Sequence, residues 1–258
     1  MLLSSIDVLQ AGILIVIGLL AGIINTLAGG GSNLSLPALM IYGLPADVAN
    51  ATNRVSVFMQ SLTASRGFYQ HGKIEASSVK DTFWPLLIGG LCGALAASYI
   101  NVELLKPLLL GTMIAVSLWV VLKADTDAEQ VRQNKSCFAS KKALAATVVA
   151  GFYGGFVQAG VGFVLIAAFV GVLNYDLLRA NAMKMVATLI FTSVALVVFI
   201  VREQIAWLPG LLLAIGSIVG AQIAVKFAVN VKAKTLKLMV LLMTVAASIA
   251  ALAFCDYA

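Results

Sequence analysis

Two cations and a handful of small amides stand in a chain that otherwise has almost no polar residues away from its loops. Arg54 closely follows Ala49-Asn50-Ala51, and Lys184 closely follows Ala180-Asn181-Ala182. A guanidinium holds an oxyanion in bidentate fashion, and an ammonium holds it as a point charge. The competing reading is a cation at the membrane interface, its stem on apolar surface and its head in water. Asn50 and Asn181 read as the starts of two corresponding helices. Asn caps a helix start well, and the free N–H groups and partial positive charge there suit an oxyanion. Thr52, Asn53 and Ser56 add further donors beside Asn50.

A second cluster is the stretch Leu27-Ala-Gly-Gly-Gly-Ser-Asn-Leu-Ser-Leu-Pro37, which interrupts an apolar run from Ile6 to Tyr42. Gly29, Gly30 and Gly31 make poor helix, each costing about 1 kcal/mol relative to alanine. A broken backbone in lipid leaves peptide groups unpaired, so it is tolerated only inside protein or along a watery cavity. Asn25, Thr26, Ser32, Asn33 and Ser35 surround the break. A comparable stretch holds Gln158, Gly160 and Gly162. Asn25 and Gln158 read as matching amides just before the two breaks, there to bond either the freed backbone or a solute.

The elements that must position these residues are membrane helices. The 258 residues are 61% hydrophobic and 11% charged, against roughly 25% charged in soluble domains. Apolar runs near 9–28, 82–100, 104–122, 143–170, 180–201, 207–229 and 236–254 approach or exceed the roughly 20 residues that span a bilayer. The chain reads as an all-α, polytopic integral membrane protein with no room for a soluble domain and no basic region typical of a cleaved leader. Cys92, Cys137 and Cys255 lie far apart, with a lone histidine, His71, so neither a disulfide framework nor a metal site is expected. No cofactor is called for. The net charge of +6 fits basic cytoplasmic loops better than a nucleic-acid partner.

Shifted by 131 residues, the sequence matches itself: Gly31 with Gly162, Leu34 with Leu165, Ala49-Asn-Ala51 with Ala180-Asn-Ala182, Val55 with Val186 and Gly89 with Gly220. The reading is two repeats, 5–122 and 139–254, joined by a linker at 123–138. Each repeat has five helical segments: 6–28, 32–43, 48–69, 82–100 and 104–122, then 143–160, 162–173, 180–201, 207–228 and 236–254. A glycine-broken long and short pair opens each repeat. Short, interrupted segments at matching places of two halves point to a transporter's binding site. If each pair returns to the side it left, one side receives 14 of the 17 cations and the other only Arg54, Lys106 and Arg202. The positive-inside rule makes the first side cytoplasmic. The halves are then inverted, the polar stretch 123–142 is cytoplasmic and both termini face away from the cytoplasm. Small-xxx-small patterns such as Gly89–Gly93 and Gly151–Gly155 serve close helix packing, and other small residues leave room for a homodimer contact.

The run Ala28-Gly-Gly-Gly-Ser…Pro37, then Leu44-Pro-Ala…Ala49-Asn-Ala-Thr52, then Tyr69-Gln-His-Gly72, resembles the TauE/SafE sulfite exporter family. Gly160-Val-Gly-Phe163 and Ala180-Asn-Ala182 fit the same pattern, and the resemblance covers nearly the whole chain. It implies a secondary transporter of a small sulfur anion, such as sulfite or a sulfonate, in a bacterial inner membrane. The second half departs from the pattern, lacking the glycine triplet and a proline in its short segment, so the two halves need not bind symmetrically.

No acidic residue falls mid-helix, so the sequence offers no carboxylate proton relay of the kind many carriers hold in the membrane. The absence of GxxxxGK[ST] argues against self-powered pumping. A membrane enzyme would want paired carboxylates, an activated nucleophile or metal ligands, which the chain does not offer. A passive anion channel would use the same donors along a continuous path, and a carrier of a non-sulfur anion remains the other alternative. The direction of transport is not written in the residues.

Overall fold

The computed structural model describes residues 7–122, 136, 138 and 140–230. They form nine α-helices: α1 Val8–Leu27, α2 Ser32–Ile41, α3 Ala46–Gln70, α4 Ala76–Tyr99, α5 Val102–Leu122, α6 Lys141–Phe156, α7 Val161–Gly171, α8 Leu177–Val201 and α9 Trp207–Asn230. There is no strand among the described residues. The expected segment at 236–254 and most of the linker lie outside them, as do Cys137 and Cys255.

Four of these helices, α1, α4, α8 and α9, are long and apolar enough to cross a membrane. Their outward residues are large and hydrophobic, as at Val16 and Leu20 on α1, Ile88 on α4 and Ile215 and Ile223 on α9, all exposed. That suits lipid rather than water. Helix α3 is as long as any of them, yet its buried side carries Asn50, Asn53, Arg54, Ser56 and Gln60. Its polar face is the inward one, because lipid offers no partner for these groups and neighbouring helices do.

Helices α2 and α7, with 10 and 11 residues, are about 15–17 Å long at 1.5 Å per residue. They follow the two breaks, at residues 28–31 and 157–160. The first break was expected from its three glycines and lies where they stand. In the second, Gln158 (φ 63°) and Gly160 (φ 69°) both adopt the left-handed conformation.

Packing is by close backbone approach. Helix α1 lies against α9, and α4 against α6. Gly18 and Gly22 of α1 meet the main chain of Leu213 and Ser217, and Gly216 and Gly220 of α9 meet that of Ile15 and Leu19. A Cβ at Gly22 would stand 2.6 Å from the Ser217 carbonyl oxygen. Gly89 and Gly93 of α4 approach Val148 and Phe152 of α6 in the same manner, while Gly151 and Gly155 approach Leu86 and Gly90. The small-residue spacings therefore serve close packing, as their sequence pattern implied. Helices α3 and α8 pack on each other, α3 also on α9 and α8 also on α4.

At one end of the bundle Arg179 on α8 contacts Glu75 at 2.5 Å and Asp176 at 3.5 Å. These side chains are 41–50% exposed, and exposed pairs contribute about 0–1 kcal/mol. Glu75→Ala is therefore expected to change the melting free energy in detergent by less than about 1 kcal/mol. A loss of several kcal/mol would mean that the pair is not solvent-screened.

Candidate functional site

The two breaks meet. Gly29, at φ 105°, touches Gly162 main chain to main chain, and a Cβ on Gly29 would stand 2.5 Å from Gly162 Cα and 3.0 Å from the Phe163 nitrogen. Gly31 packs back onto α1, where a Cβ would stand 2.5 Å from that of Asn25. Only residues without a Cβ allow this crossing, which is why Gly29 and Gly162 stand where they do. Gly30, Gly31 and Gly160 are buried beside them.

Each long helix that ends at a break leaves carbonyls without an intrahelical partner. At both breaks a buried cation from a helix distant in sequence supplies the donors. Arg54 on α3, fully buried, donates Nη1 to the Gly154 carbonyl and Nη2 to those of Gly155 (2.8 Å) and Phe156 (3.3 Å), at the end of α6. Asn50 donates Nδ2 to the Phe156 carbonyl at 3.1 Å and accepts from Arg54 Nη2 at 3.4 Å. The guanidinium lies 5.6 Å from the Phe199 ring centre, within cation–π range. On the other side, Lys184 on α8 donates Nζ to the carbonyls of Asn25 (2.8 Å) and Thr26 (3.0 Å), at the end of α1. Its third acceptor is Asn181 Oδ1 at 2.5 Å. Positive charge at a helix C-terminus is favourable for the macrodipole. Neither cation is an interfacial one with its head in water.

The polar start of α2 is held from α3. Asn53 donates Nδ2 to Ser32 Oγ at 3.1 Å and accepts from Ser35 Oγ at 2.6 Å. Asn33 is buried next to Ser32. Thr52 Oγ1 accepts from the Ala206 N–H at 2.9 Å, tying α3 to the start of α9. Ser56 donates to Ser217 Oγ at 3.0 Å, and Gln60 to Thr26 Oγ1 at 3.2 Å. These last bonds are interhelical.

Two sequence readings need correction. Asn50 and Asn181 do not start helices. Helix α3 begins at Ala46 after Pro45, and α8 begins at Leu177, where Asp176 accepts from the Arg179 N–H at 3.0 Å. Both asparagines are the fifth residue of their helices; the Asn50 amide bonds the end of α6 and the Asn181 amide oxygen bonds Lys184, and neither caps its own helix. Nor do Asn25 and Gln158 match. Asn25 lies within the last turn of α1, whereas Gln158 lies inside the second break, two residues after α6 ends. By that count Gln158 corresponds to Gly29, which is likewise two residues past its helix, and both have positive φ. Both ends of the Gln158 amide are buried without a hydrogen-bond partner among the described residues, as are Asn181 Nδ2 and Arg54 Nε.

The sequence reading missed the acceptors: the carbonyls of Gly154, Gly155 and Phe156 and those of Asn25 and Thr26. The signal available was two buried cations with no acid in reach. Among the described residues no aspartate or glutamate is buried, and no group of histidine, cysteine and acidic residues could hold a metal ion.

The family model "Sulfite exporter TauE/SafE" matches residues 14–251. The chain is 27% identical over 242 residues to the "Probable membrane transporter protein YfcA" of Escherichia coli strain K12, covering 94% of this chain and 89% of that protein. It is 30% identical over 227 residues to a "Probable membrane transporter protein" of Haemophilus influenzae, covering 87% of each, and 27% identical over 240 residues to the "Probable membrane transporter protein ORF9" of a Sinorhizobium species, covering 93% and 91%. No solved structure gives a match. With the family pattern spanning nearly all of its length, the chain belongs to the TauE/SafE sulfite exporter family.

Proposed function

We propose that this membrane transporter is a secondary carrier of a small sulfur oxyanion, sulfite or a sulfonate, and that the anion binds near the crossing of the two breaks. One observation carries the anion: two fully buried cations, while among the described residues no aspartate or glutamate is buried as a whole and Asp47, near the start of α3, shields only its Oδ1. The C-termini of α1 and α6 offset about one unit charge between them, and the N-termini of α2 and α7, which open at the same breaks, add about one back. The crossing therefore keeps roughly two positive charges. Buried charge without a counter-charge is unfavourable even when hydrogen-bonded, and an anion from outside the chain relieves it. The unpartnered N–H groups of Gln158, Asn181 and Arg54 are donors of the kind such an anion would accept from. The family supplies the sulfur chemistry.

The pairing of helices supports two related halves. Exchanging α1 with α6, α3 with α8 and α4 with α9 turns the α1–α9 and α3–α9 contacts into the α6–α4 and α8–α4 contacts that are present, and the two capping cations exchange with them. Alternating access by rocking of one half against the other is the mechanism this favours. The charge distribution of the loops supports an inner-membrane orientation with residues 123–142 cytoplasmic. A carrier of this kind needs no catalytic group, and it runs in the direction its gradients set. A passive channel with the same donors would not show counterflow.

The test is thermal melting of the detergent-purified protein with sulfite, methanesulfonate, sulfoacetate, sulfate and acetate. A ligand at 100 times its dissociation constant adds about 2.7 kcal/mol, so the transported sulfur anion is expected to raise the melting temperature while acetate does not. Equal melting with every anion would remove the case for a sulfur oxyanion at this crossing.

A further inference from the structure

Arg54 and Lys184 do the same structural work in opposite halves, but only one of them can change its charge. Arginine keeps its proton in proteins, whereas a buried lysine can release it. We propose that Lys184 is a proton-binding site of the transport cycle, with Asn181 as a partner able to serve both its charged and its neutral form. The proposal rests on the anion-carrier reading above.

The hydrogen-bond inventory around Lys184 carries the inference. An ammonium has three N–H donors, and Lys184 meets three acceptors: the carbonyls of Asn25 and Thr26 and the Asn181 amide oxygen. A neutral amine has two N–H donors and one lone pair. The carbonyls can only accept, so the third partner must turn from acceptor into donor. Asn181 can do this. Its Nδ2 has no partner among the described residues, and a half-turn of the amide exchanges oxygen for nitrogen without breaking any other bond. Asn50, in the matching place beside Arg54, cannot. Its Nδ2 is committed to the Phe156 carbonyl and its Oδ1 to Arg54. The half with the permanent charge has a locked amide, and the half with the titratable charge has a free one.

Among the described residues, the surroundings leave Lys184 as the group that can change its charge at this depth. Of the helices packed on α8, α1 and α7 contain no charged residue. Helix α3 contributes Asp47 near its start, buried Arg54, and Arg66 in its last turns. Helix α4 contributes Lys80 and Asp81, and α6 Lys141, Lys142 and Tyr153, with the charged residues in the first two turns. Tyr153 donates its hydroxyl to the Ala159 carbonyl at 2.7 Å.

The step balances simply. On the loading side the Lys184 amine takes a proton from hydronium, giving an ammonium and water, and the anion binds the charge so formed. After reorientation the anion leaves, and the ammonium returns its proton to water on that side. One proton moves with each monoanion, so the loaded step carries no net charge and the empty carrier returns with Lys184 neutral.

Proteoliposomes holding a pH-sensitive dye test this, with methanesulfonate as the probe because this strong-acid anion cannot itself carry the proton near neutral pH. An inward methanesulfonate gradient is expected to acidify the lumen by about one proton per anion, and one pH unit, acid outside, to hold about tenfold accumulation. In Lys184→Arg the ratio of protons to anions moved is expected to fall to near zero, a readout that does not depend on how fast the variant works. A ratio that stays near one overturns the proposal. Should that variant not fold, Asn181→Asp, whose carboxylate would pin the ammonium in its charged form, is read by the same ratio with the same two meanings. Anion movement without protons in the unmodified protein overturns the proton site and leaves the carrier standing. If neither methanesulfonate nor sulfite moves, the carrier reading falls and the proton site falls with it.

Discussion

Gly29→Ala is expected to destabilise the protein by about 2–5 kcal/mol and to abolish transport. The left-handed backbone costs a residue with a Cβ about 1–2 kcal/mol, and forcing a methyl group into packed main chain adds about 1–3 kcal/mol. There is no flexible side chain to yield, because the atoms in the way are Gly162 Cα and carbonyl carbon and the Phe163 nitrogen. Gly43, between α2 and α3, provides the control. Its φ is 104°, nearly that of Gly29, yet nothing lies within 4 Å of a Cβ built there. Gly43→Ala should therefore lose only the backbone contribution, about 1–2 kcal/mol, and keep its transport. The comparison is made by melting both variants in detergent and assaying both in vesicles. Equal loss in the two would mean that the breaks do not cross backbone to backbone.

Arg54→Ala is the second large effect. It removes the donors to Gly154 and Gly155, while Phe156 keeps Asn50. Each buried acceptor left unpaired costs about 1–3 kcal/mol, so a destabilisation of roughly 2–6 kcal/mol is expected, with loss of transport. Arg54→Lys should recover part of this, since Lys184 shows that an ammonium can cap a broken helix end. The two variants also separate the roles of the guanidinium. If it only caps α6, stabilisation by the transported anion survives in Arg54→Lys. If it also binds the anion through Nε, that stabilisation falls even where the fold is kept. Arg54→Ala protein that expresses and transports normally would refute both roles.

Much of the fold was legible in the sequence, and for identifiable reasons. Three consecutive glycines can hardly be helix in an apolar run, so the end of α1 and start of α2 came close to their observed places. The second break, around Gly160 and Gly162, was expected as well, and α6 ends and α7 starts within a few residues of the expected places. Helix starts were less legible. Ala-Asn-Ala looks like a cap because asparagine caps well in general, but Pro45 and Asp176 lie a turn earlier and stop the chain first. The alignment of Asn25 with Gln158 failed because residue types were matched across a stretch where the backbone, not the side chain, is shared. Gln158 takes the left-handed place that glycine holds in the other half. Arg54, Lys184 and Asn50 were recognised as exceptional, but their partners include main-chain carbonyls 100 or more residues away in sequence. A carbonyl has no signature in a sequence, and its availability depends on where a helix stops.

The inward polarity of α3 has a consequence for how the protein is made. A segment bearing Asn50, Asn53, Arg54 and Gln60 is a weak candidate for entering lipid by itself, where a central arginine costs about 2.5–3.5 kcal/mol on the insertion scale. The groups that accept from Arg54 lie at residues 154–156, and the ribosome reaches them only about 100 residues later. During that interval the nascent chain holds a cation whose accepting carbonyls do not yet exist, and the end of α1 waits still longer for Lys184. The nascent first half is therefore unfinished as a membrane object. It must linger beside the insertion machinery or a chaperone until the second half arrives, and a chain truncated after α5 should be a ready target for membrane proteases.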